Sequence, residues 1–462
     1  MGSFTERHAD KSAGFLSCFL GLVVSSLSSG LPSGGSDWPQ FRGPNGTGTG
    51  PAADIPMEWS ETKNVAWKAA VPGRGWSQPV AIGGTIYLTV ALGEGLDAPI
   101  GFAAGVADPR SSKAESAPDV TIEWRVLAFD LATGQERWSA SVGKAKPKYP
   151  IHPSNTWASE TPVADANGVY AFFGATGTLA AFDTAGKPLW KAELGVHPMM
   201  FGYGTASSPA ILDGKVFVQS FSEEGGWLAC FEAKSGDELW RVTREAGSSW
   251  ATPLLWRNQQ RTELVASGFN LITSHEPATG KELWRLGGVM GPMMSSFAAD
   301  PEHLYLGQAA AFAGGRSMMN PPLYALAPGG AGDLSPAEGT IEVKGQLWSQ
   351  KMASPAMSSP VAADGLLYIA MENLLTCRDA ESGEQLYKER VPGLVTIAAS
   401  PIIVGDKLLL LDEEGHAAIV RVGPDFEVVG KGALEDVFWA TPAVAGKALI
   451  LRGAKSLYCV RE

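Results

Sequence analysis

The sequence predicts an all-β protein, an eight-bladed β-propeller built from four-stranded antiparallel blades. Two repeated elements support this prediction, and the strand pattern at the two ends of the domain indicates a closed ring. Successive copies of the second element lie 41 to 47 residues apart, with two longer intervals. A period of this length, with turn residues and a tryptophan in most repeats, is typical of a propeller blade.

The first repeated element is clearest at residues 126–138, where a strand, a tight turn and a second strand follow one another. An acid that can bond its own backbone and a glycine that tolerates positive φ mark the turn. The tryptophan of the second strand is expected to pack between adjacent blades, where an aromatic ring buries about 150–250 Å². The residues assigned to this structural repeat are Trp67, Asp130, Gly134, Trp138, Asp183, Gly186, Trp190, Gly236, Trp240, Gly280, Trp284, Trp348 and Gly383.

The second repeated element consists of small residues, a proline in most copies, and then an apolar strand. Innermost strands crowd around the axis of a propeller, so serine, threonine or alanine is expected just before the proline. Gln78 alone breaks this pattern. The eight residues at this position are Gln78, Thr161, Ser208, Thr252, Ser296, Ser359, Ser400 and Thr441.

The two ends of the domain complement each other. Residues 457–461 read as the third strand of a blade without a fourth, and residues 64–68 read as a fourth strand without the preceding three. We therefore expect the N-terminal strand to complete the last blade. Closing the ring in this way leaves no open sheet edge between the first and last blades.

Residues 1–30 have the pattern of a secretory signal peptide, with basic residues, a short apolar stretch and then small residues. An uncleaved N-terminal anchor is the alternative. No other apolar run is long enough to cross a membrane, so no transmembrane segment is expected after cleavage. The protein is expected to be exported, and to be periplasmic or associated with the cell envelope.

Residues 31–63 are expected to form an extended leader over the outside of the fold, followed by the propeller domain at residues 64–462. In this leader, Trp38 and Phe41 are expected to pack into a groove, and Arg42 is expected to form a structural salt bridge.

Charge and cysteine usage narrow the possible partners and chemistry. The formal net charge is −12 at pH 7 and no basic tract is present, so nucleic acid and anionic membranes are poor partners. Cys230, Cys377 and Cys459 occupy one repeat position in blades three, six and eight. A disulfide needs Cα atoms within about 7 Å, so we expect three buried free thiols.

The pattern Ala-x-Asp-x-x-Thr-Gly-x-x-x-Trp at residues 128–138 resembles that of the PQQ-like repeat family of eight-bladed propellers. This family includes quinoprotein alcohol dehydrogenases and the non-enzymatic outer-membrane assembly propellers of the BamB type. The resemblance covers residues 60–462 and implies the fold, but it does not imply the cofactor.

The dehydrogenase branch has two adjacent cysteines, a Ca²⁺ site of Glu, Asn and Asp, and an Asp base. This sequence has no adjacent cysteines and no residues that can be matched to the calcium ligands; a haem-binding Cys-x-x-Cys-His is also absent. Hydrolase and phosphate-loop motifs are absent as well. The sequence therefore favours a non-catalytic binding or interaction scaffold with an envelope or secreted protein partner. PQQ with Ca²⁺, in a dehydrogenase of alcohols or sugars, is the disfavoured alternative, and no cofactor is expected.

One rim of the channel has an unusual composition. Insertions at residues 92–121 and 308–321 are expected to face each other across this rim, since blades one and five are opposite. The inter-blade loops there are rich in methionine and aromatic residues. Their methionines include Met199, Met200, Met290 and Met352, and the second insertion adds Met318 and Met319. The candidate ligand- or partner-binding residues are Trp76, His152, Trp157, His197, Tyr203, Trp250, Met293, Met294, Met357 and Trp439.

Three interpretations of this rim remain open. The residues can simply pack the insertions onto the propeller, they can line an adaptable pocket for a small molecule or a docking partner, or they can form a soft-metal site for Cu(I).

Overall fold

The computed structural model describes residues 37–96, 99, 117–288, 291, 293–307, 322–338, 340–351, 353–355 and 357–462. These residues form eight sheets, each containing the four antiparallel strands of a propeller blade. The strands of blades 1 to 4 are Val80–Ile82, Thr85–Leu92, Ile122–Asp130 and Glu136–Ala145; Val163–Ala164, Val169–Phe173, Thr178–Phe182 and Pro188–Glu193; Ala210–Leu212, Lys215–Ser222, Gly225–Glu232 and Glu238–Arg244; and Leu254–Arg257, Thr262–Gly268, Leu271–His275 and Glu282–Gly287.

The second half of the ring repeats the same order of strands. The strands of blades 5 to 8 are Ala298–Ala299, Leu304–Leu306, Leu323–Leu326 and Gln346–Gln350; Val361–Ala363, Leu366–Met371, Leu374–Asp379 and Gln385–Arg390; Ile402–Val404, Lys407–Leu411, His416–Arg421 and Val428–Ala433; and Ala443–Ala445, Ala448–Arg452, Ser456–Val460 and Val65–Ala70. One short 3-10 helix is described, at Met200–Gly202. The predicted all-β, eight-bladed fold is confirmed.

The N-terminal strand completes the last blade. Val65–Ala70 pairs antiparallel with Ser456–Val460, so the outer strand of blade 8 comes from the start of the domain and the other three come from its end. This arrangement confirms the predicted closure. The hydrogen bonds of one sheet thus join the two ends of the ring and hold the first and last blades together.

Three short strands extend the blades beyond the regular pattern. Thr49–Gly50 runs parallel to the innermost strand of blade 7, and Glu58–Trp59 runs parallel to its outermost strand. Gly332–Asp333 runs parallel to the outermost strand of blade 4. The first two belong to the leader, and the third belongs to the long connection between the last two strands of blade 5.

The repeated tryptophans lie between neighbouring blades, against the glycine of the next repeat. A Cβ atom on Gly236 of blade 3 would lie 2.5 Å from the ring of Trp190 in blade 2, so only glycine allows this approach. The indole N–H of Trp190 donates to the carbonyl of Ala233 at 2.8 Å. The same tryptophan–glycine contact occurs in the pairs Trp67–Gly134, Trp138–Gly186, Trp240–Gly280 and Trp348–Gly383.

The turn that defines the first repeat is held by Asp130. Its carboxylate accepts hydrogen bonds from the backbone and hydroxyl of Thr133 and an ion pair from Arg137, which together lower the pKa of Asp130 to about 2. Gly134 follows at φ +72°, a conformation that favours glycine. Asp183 has the same role in blade 2, where it accepts the backbone N–H groups of Ala185 and Lys187.

The leader takes a different path from the one expected. Trp38 is buried and exchanges backbone hydrogen bonds with Ala81 in the innermost strand of blade 1. The next residues contact the innermost strands of blades 2 and 3, through the bonds from Ala164 N–H to Pro39 and from Ile211 N–H to the Gln40 side chain. The first part of the leader therefore crosses the inner ring of strands, and only its later part, at Glu58–Trp59, lies on the outermost strand of a blade.

The expectation for Arg42 is also wrong. The side chain is fully buried, and its guanidinium bonds backbone carbonyl groups instead of a carboxylate. No carboxylate of the described residues lies within ion-pair distance of it. Its partners are distant in sequence and contribute only main-chain atoms, so a salt bridge was the wrong kind of interaction to expect.

The three cysteines are free and buried, as expected. Burial raises the pKa of the Cys230 thiol to about 12 and those of Cys377 and Cys459 to about 11. Across the part of the chain that is described, no helix is long and apolar enough to cross a membrane.

Candidate functional site

A ring of hydroxyl groups surrounds the propeller axis. In each link, the backbone N–H of one blade donates to the side-chain hydroxyl of the next blade over 2.9 to 3.2 Å. Each acceptor sits just before the innermost strand, at the position where the sequence repeats a small residue. We call these seven residues the hydroxyl crown: Thr161, Ser208, Thr252, Ser296, Ser359, Ser400 and Thr441.

Gln78 takes the eighth place of the crown. Its backbone N–H donates to the Thr161 hydroxyl, which continues the ring. Its side-chain amide donates to the carbonyl of Pro442 and accepts the backbone N–H of Arg42 at 2.7 Å. The one exception to the inner repeat is therefore a residue whose side chain helps to join the inner ring to the leader.

The side chain of Arg42 crosses the channel from blade 1 to the opposite side. Its backbone is bonded to Gln78 in blade 1, whereas its guanidinium donates to the carbonyls of Phe297 in blade 5 and Pro360 in blade 6. A third bond reaches the carbonyl of Thr47 in the leader at 2.7 Å. Phe297 and Pro360 each follow a crown residue directly, so the guanidinium lies next to the crown. Burial lowers the pKa of Arg42 to about 9.

The hydroxyl crown and Phe41, the leader residue before Arg42, line a cavity of about 240 Å³ on the axis. Phe41 and all seven hydroxyl residues line it, together with four aromatic residues at the mouth. We call these four the aromatic collar: Trp76, Tyr203, Trp250 and Trp439. The leader thus places one aromatic ring in the cavity wall and the Arg42 guanidinium out of contact with solvent.

The collar consists of two aromatic pairs. The rings of Trp76 and Trp439 stack at 5.9 Å with an interplanar angle of 23°. Tyr203 and Trp250 meet edge to face, also at 5.9 Å. Hydrogen bonds from Trp76 to the Ser154 carbonyl and from Trp250 to the Gly204 carbonyl fix two of the indole rings.

The remaining lining is polar or soft, but it carries no formal charge apart from histidine. His152 is buried, which lowers its pKa, and its Nδ1 atom lies 2.7 Å from the Ser154 hydroxyl. Its ring packs 5.2 Å from that of Tyr203. Met294 and Met357 complete the apolar part of the wall. The described lining contains no Asp, Glu, Lys or Arg, so a cation or a metal ion would find no carboxylate there.

Seven of the ten candidate binding residues line this one cavity. The structure brings together Trp76, His152, Tyr203, Trp250, Met294, Met357 and Trp439. Phe41, Asn155 and the hydroxyl crown also line the cavity but are not among the predicted site residues. The crown corresponds to the small residues before each proline, a pattern that by itself predicts only a need for space near the axis.

The other three candidates lie elsewhere. Met293 is fully buried in the hydrophobic core between blades 4 and 5. Trp157 is buried and its backbone has a φ of +58°, and the Arg74 guanidinium lies 5.5 Å from the centre of its ring. His197 lies 3.5 Å from Glu224 and lines a separate, small depression with Trp157.

Some of the predicted rim falls outside the described residues. These are Met290, Met352, Met318 and Met319, the whole second insertion at 308–321, and residues 97–98 and 100–116 of the first. The described ends of the first insertion lie between the second and third strands of blade 1, and the second insertion falls in the chain between Leu304–Leu306 and Leu323–Leu326 of blade 5.

Two further charged side chains are buried close to the crown. Arg452 donates to the Ser77 carbonyl and hydroxyl and to the Thr89 carbonyl, and burial lowers its pKa to about 9. Glu160 accepts hydrogen bonds from Gly174 N–H and the Thr205 hydroxyl, and burial raises its pKa. These bonds hold the Glu160 carboxyl group away from the cavity lining.

Comparison with known proteins identifies the family. A PQQ-type repeat model described as outer membrane protein assembly factor BamB matches residues 123–255, 224–306 and 338–422, which together make up more than half of the chain. The chain therefore belongs to this family of PQQ-like repeat propellers. No curated protein sequence matches it significantly.

Solved structures with the same fold include enzymes and a designed protein. A europium-containing methanol dehydrogenase has a TM-score of 0.59 at 11% identity, with 92% of this chain and 91% of that chain covered. The quinohemoprotein alcohol dehydrogenase of Comamonas testosteroni has a TM-score of 0.58 at 13% identity, with 92% and 80% covered. The computationally designed Ika8 protein has a TM-score of 0.52 at 11% identity, with 88% and 99% covered. At such low identity these similarities establish the fold alone.

Proposed function

We propose that this protein is a non-catalytic, exported binding protein whose channel mouth receives a segment of an envelope or secreted protein partner. The observation that carries the proposal is the cavity on the propeller axis, with an aromatic collar at its mouth, two methionines in its wall and no carboxylate in its described lining. Aromatic and methionine side chains form adaptable apolar surfaces, and they are enriched at interfaces.

Family membership and the N-terminal sequence support the location. The matching family model is described as an outer-membrane assembly factor, and residues 1–30 have the pattern of an export signal. The protein is proposed to act in the periplasm or at the cell envelope, where its partners are also exported proteins. A small molecule in the same cavity is the alternative occupant.

The residues present do not fit a quinone cofactor with calcium. No group of three or more His, Cys, Asp or Glu side chains that could hold a metal ion occurs among the described residues. The Glu160 carboxyl group is turned to Gly174 and Thr205, and the three described cysteines are in separate blades. The family's dehydrogenases use an Asp base, and the described cavity lining supplies no carboxylate; its one histidine, His152, is engaged with Ser154 through Nδ1.

The residues proposed for Cu(I) are only partly brought together. His152 lines the axial cavity with Met294 and Met357, whereas His197 lies with Glu224 at a different depression. The His152 Nδ1 atom is engaged with Ser154. A site of one histidine and two thioethers remains a weaker proposal than a pocket for an organic group.

Site-directed photo-cross-linking tests the proposed function. A photoreactive amino acid at Ala398, whose side chain lines the cavity, is expected to capture one defined partner in cell-envelope extract. The same group at Leu239, an exposed side chain on the outer strand of blade 3, is the control and should not capture it. The partner, identified by mass spectrometry and purified, should then bind the unmodified protein.

Variants of the collar separate binding from folding. Trp76→Ala combined with Trp439→Ala is expected to weaken binding of the purified partner at least about tenfold, since large aromatic residues dominate interface energies. Leu239→Ala is the matched control. Unchanged binding in the collar variant would contradict the proposal. So would a quinone absorbance that survives gel filtration after PQQ and Ca²⁺ are added, accompanied by dye reduction with alcohols or sugars.

A further inference from the structure

The hydroxyl crown presents a ring of hydrogen-bond donors to the cavity. Each of the seven oxygens accepts a backbone N–H from the preceding blade. Among the described residues, none of these hydroxyls finds an acceptor for its own proton. A hydroxyl that already accepts a hydrogen bond is polarised and becomes a better donor. Seven such donors around one axis create a site for an electron-rich group.

A buried positive charge lies next to this ring. The Arg42 guanidinium bonds three neutral carbonyls, and its Nε–H has no hydrogen-bond partner among the described residues. A charge that is removed from water without a counter-charge raises the free energy of the folded protein. Because the guanidinium is adjacent to the crown through Phe297 and Pro360, an anionic group held by the crown would offset this cost.

Nothing in the described lining opposes an anion. The cavity wall contains no carboxylate. The nearest buried acid in sequence is Glu160, which is not part of the lining. Its Oε1 atom accepts hydrogen bonds from Gly174 N–H and the Thr205 hydroxyl, its Oε2 atom has no partner among the described residues, and burial raises its pKa. Arg452, the second buried guanidinium, bonds the residue before Gln78 and adds positive potential on the blade 1 side, across the channel from the Arg42 guanidinium.

We infer that the cavity binds a carboxylate group, with its oxygens at the hydroxyl crown and an apolar or aromatic body between the rings of the aromatic collar. This inference rests on the proposed binding function and specifies the chemistry of the occupant. The carboxylate can belong to a small organic acid or to the C-terminus of a peptide partner, since both present the same group.

The first test compares two probes that differ only in charge. Indole-3-acetate and indole-3-acetamide are titrated by calorimetry near neutral pH and at constant ionic strength. The acetate is expected to bind at least about tenfold more tightly than the amide, because only the acetate offers a charged acceptor to the crown. Equal affinities, or no binding of either probe, would overturn the inference.

Variants assign the preference to particular residues. In Arg42→Gln, indole-3-acetate and indole-3-acetamide should bind with equal affinity. In Arg42→Lys, part of the preference for the acetate should remain because the positive charge remains. Should Arg42→Gln fail to fold, Thr441→Val replaces one crown hydroxyl with an isosteric methyl and is expected to reduce this preference. Ser335→Ala is the matched control, because Ser335 also accepts a backbone N–H but lies far from the cavity. A preference that survives both Arg42→Gln and Thr441→Val contradicts the assignment.

A second pair of titrations distinguishes a small organic acid from a peptide C-terminus as the source of the carboxylate. A short alanine peptide ending in tryptophan is compared with the same peptide carrying a C-terminal amide. Preferential binding of the free acid supports a peptide C-terminus, whereas binding of indole-3-acetate alone supports a small organic acid. Capture of a partner that depends on the collar but not on any carboxylate would leave the proposed function standing and overturn this inference.

Discussion

Two regions of the propeller are built from the same repeat: the tryptophan contacts between neighbouring blades and the hydroxyl crown around the axis. They depart from the repeat at different places. Between blades, five tryptophans pack against the glycine of the following repeat, as Trp190 does against Gly236. Around the axis, seven of eight positions supply a hydroxyl to the preceding blade. The outer pattern changes in three blades: at Trp284 in blade 4, at Tyr387 in blade 6, and in blade 7, whose outer strand Val428–Ala433 has no tryptophan. The inner pattern changes at Gln78 alone.

At Trp284 and at Gln78, the departure from the repeat accompanies a segment added to it. The Trp284 indole N–H donates to the buried carboxylate of Glu263. The strand Gly332–Asp333, from blade 5, pairs with the strand that contains Trp284. Gln78 binds the leader through Arg42. Regular positions in this propeller hold the ring together, whereas Trp284 and Gln78 lie where additional chain is attached. Four predictions test this distinction.

The largest effect is expected from removing the strand that closes the ring. A chain that begins at Val71 lacks Val65–Ala70, which forms the outer strand of blade 8, as well as the leader strands on blade 7. It should lose cooperative unfolding, measured by circular dichroism and calorimetry, because the last blade then has an unpaired edge. A chain beginning at Asp37 is the control. An unchanged melting temperature of the shorter chain would contradict the closure model.

Replacing a tryptophan that packs against the glycine of the next repeat should lower the free energy of unfolding by more than replacing a typical core residue. Trp240→Ala is expected to lower the free energy of unfolding by about 3–5 kcal/mol, because it leaves a cavity beside Gly280 and an unpaired carbonyl at Pro277. Chemical denaturation measures the change. Leu239→Ala, an exposed neighbour on the same strand, should change it by less than about 0.5 kcal/mol. Comparable small losses in both variants would show that the tryptophan does not hold the blades together.

Much of the fold could be predicted because each signal was local and repeated. The turn of Asp130 and Gly134 recurs, and so does the small residue before each proline. The path of the leader could not be predicted in this way. Arg42 binds the carbonyls of Phe297 and Pro360, which are 255 and 318 residues away and leave no side-chain signature.

The candidate site was predictable to a similar extent. Collar residues such as Trp76, Trp250 and Trp439 share one position, three residues before the proline that precedes an inner strand, so the ring symmetry brings them together. Met293 and His197 lie in irregular loops, where neither period two nor the blade repeat fixes the direction of a side chain. One of them points into the core and the other points away from the channel.

A pH-dependent change of stability is expected from His275. The side chain is buried in blade 4, where Arg244 donates to Nε2 and the Gly280 carbonyl accepts from Nδ1–H, so it is held neutral. Burial lowers its pKa from 6.5 to about 4. The unfolded chain therefore binds this proton more readily, and stability is full above pH 6.5 and decreases as the pH falls towards 4.

The loss is on the order of 1.4 kcal/mol for each unit of pKa shift. It is measured as the free energy of unfolding at several pH values. His275→Gln should show a shallower slope in the same interval, since glutamine does not titrate. The neighbouring ion pair of Arg244 and Glu282 remains in both proteins and serves as a common background. Identical slopes would show that His275 is not the group responsible.

The smallest effect, and the most specific, is expected when the inner ring is made regular. Gln78→Ser gives the eighth position a hydroxyl like the other seven, but it withdraws the acceptor of the Arg42 backbone N–H and the donor to the Pro442 carbonyl. An unsatisfied buried donor costs about 1–3 kcal/mol, so the variant should be less stable although its sequence fits the repeat better. Ser400→Thr, which keeps a hydroxyl in the crown, is the control and should be close to neutral. The decisive measurement is limited proteolysis of the leader, which should be cut faster in Gln78→Ser and at the parental rate in Ser400→Thr. If Gln78→Ser were as stable as the parent and its leader equally protected, the attachment of the leader would depend on Trp38 and the paired strands instead, and the exception in the repeat would have no structural role.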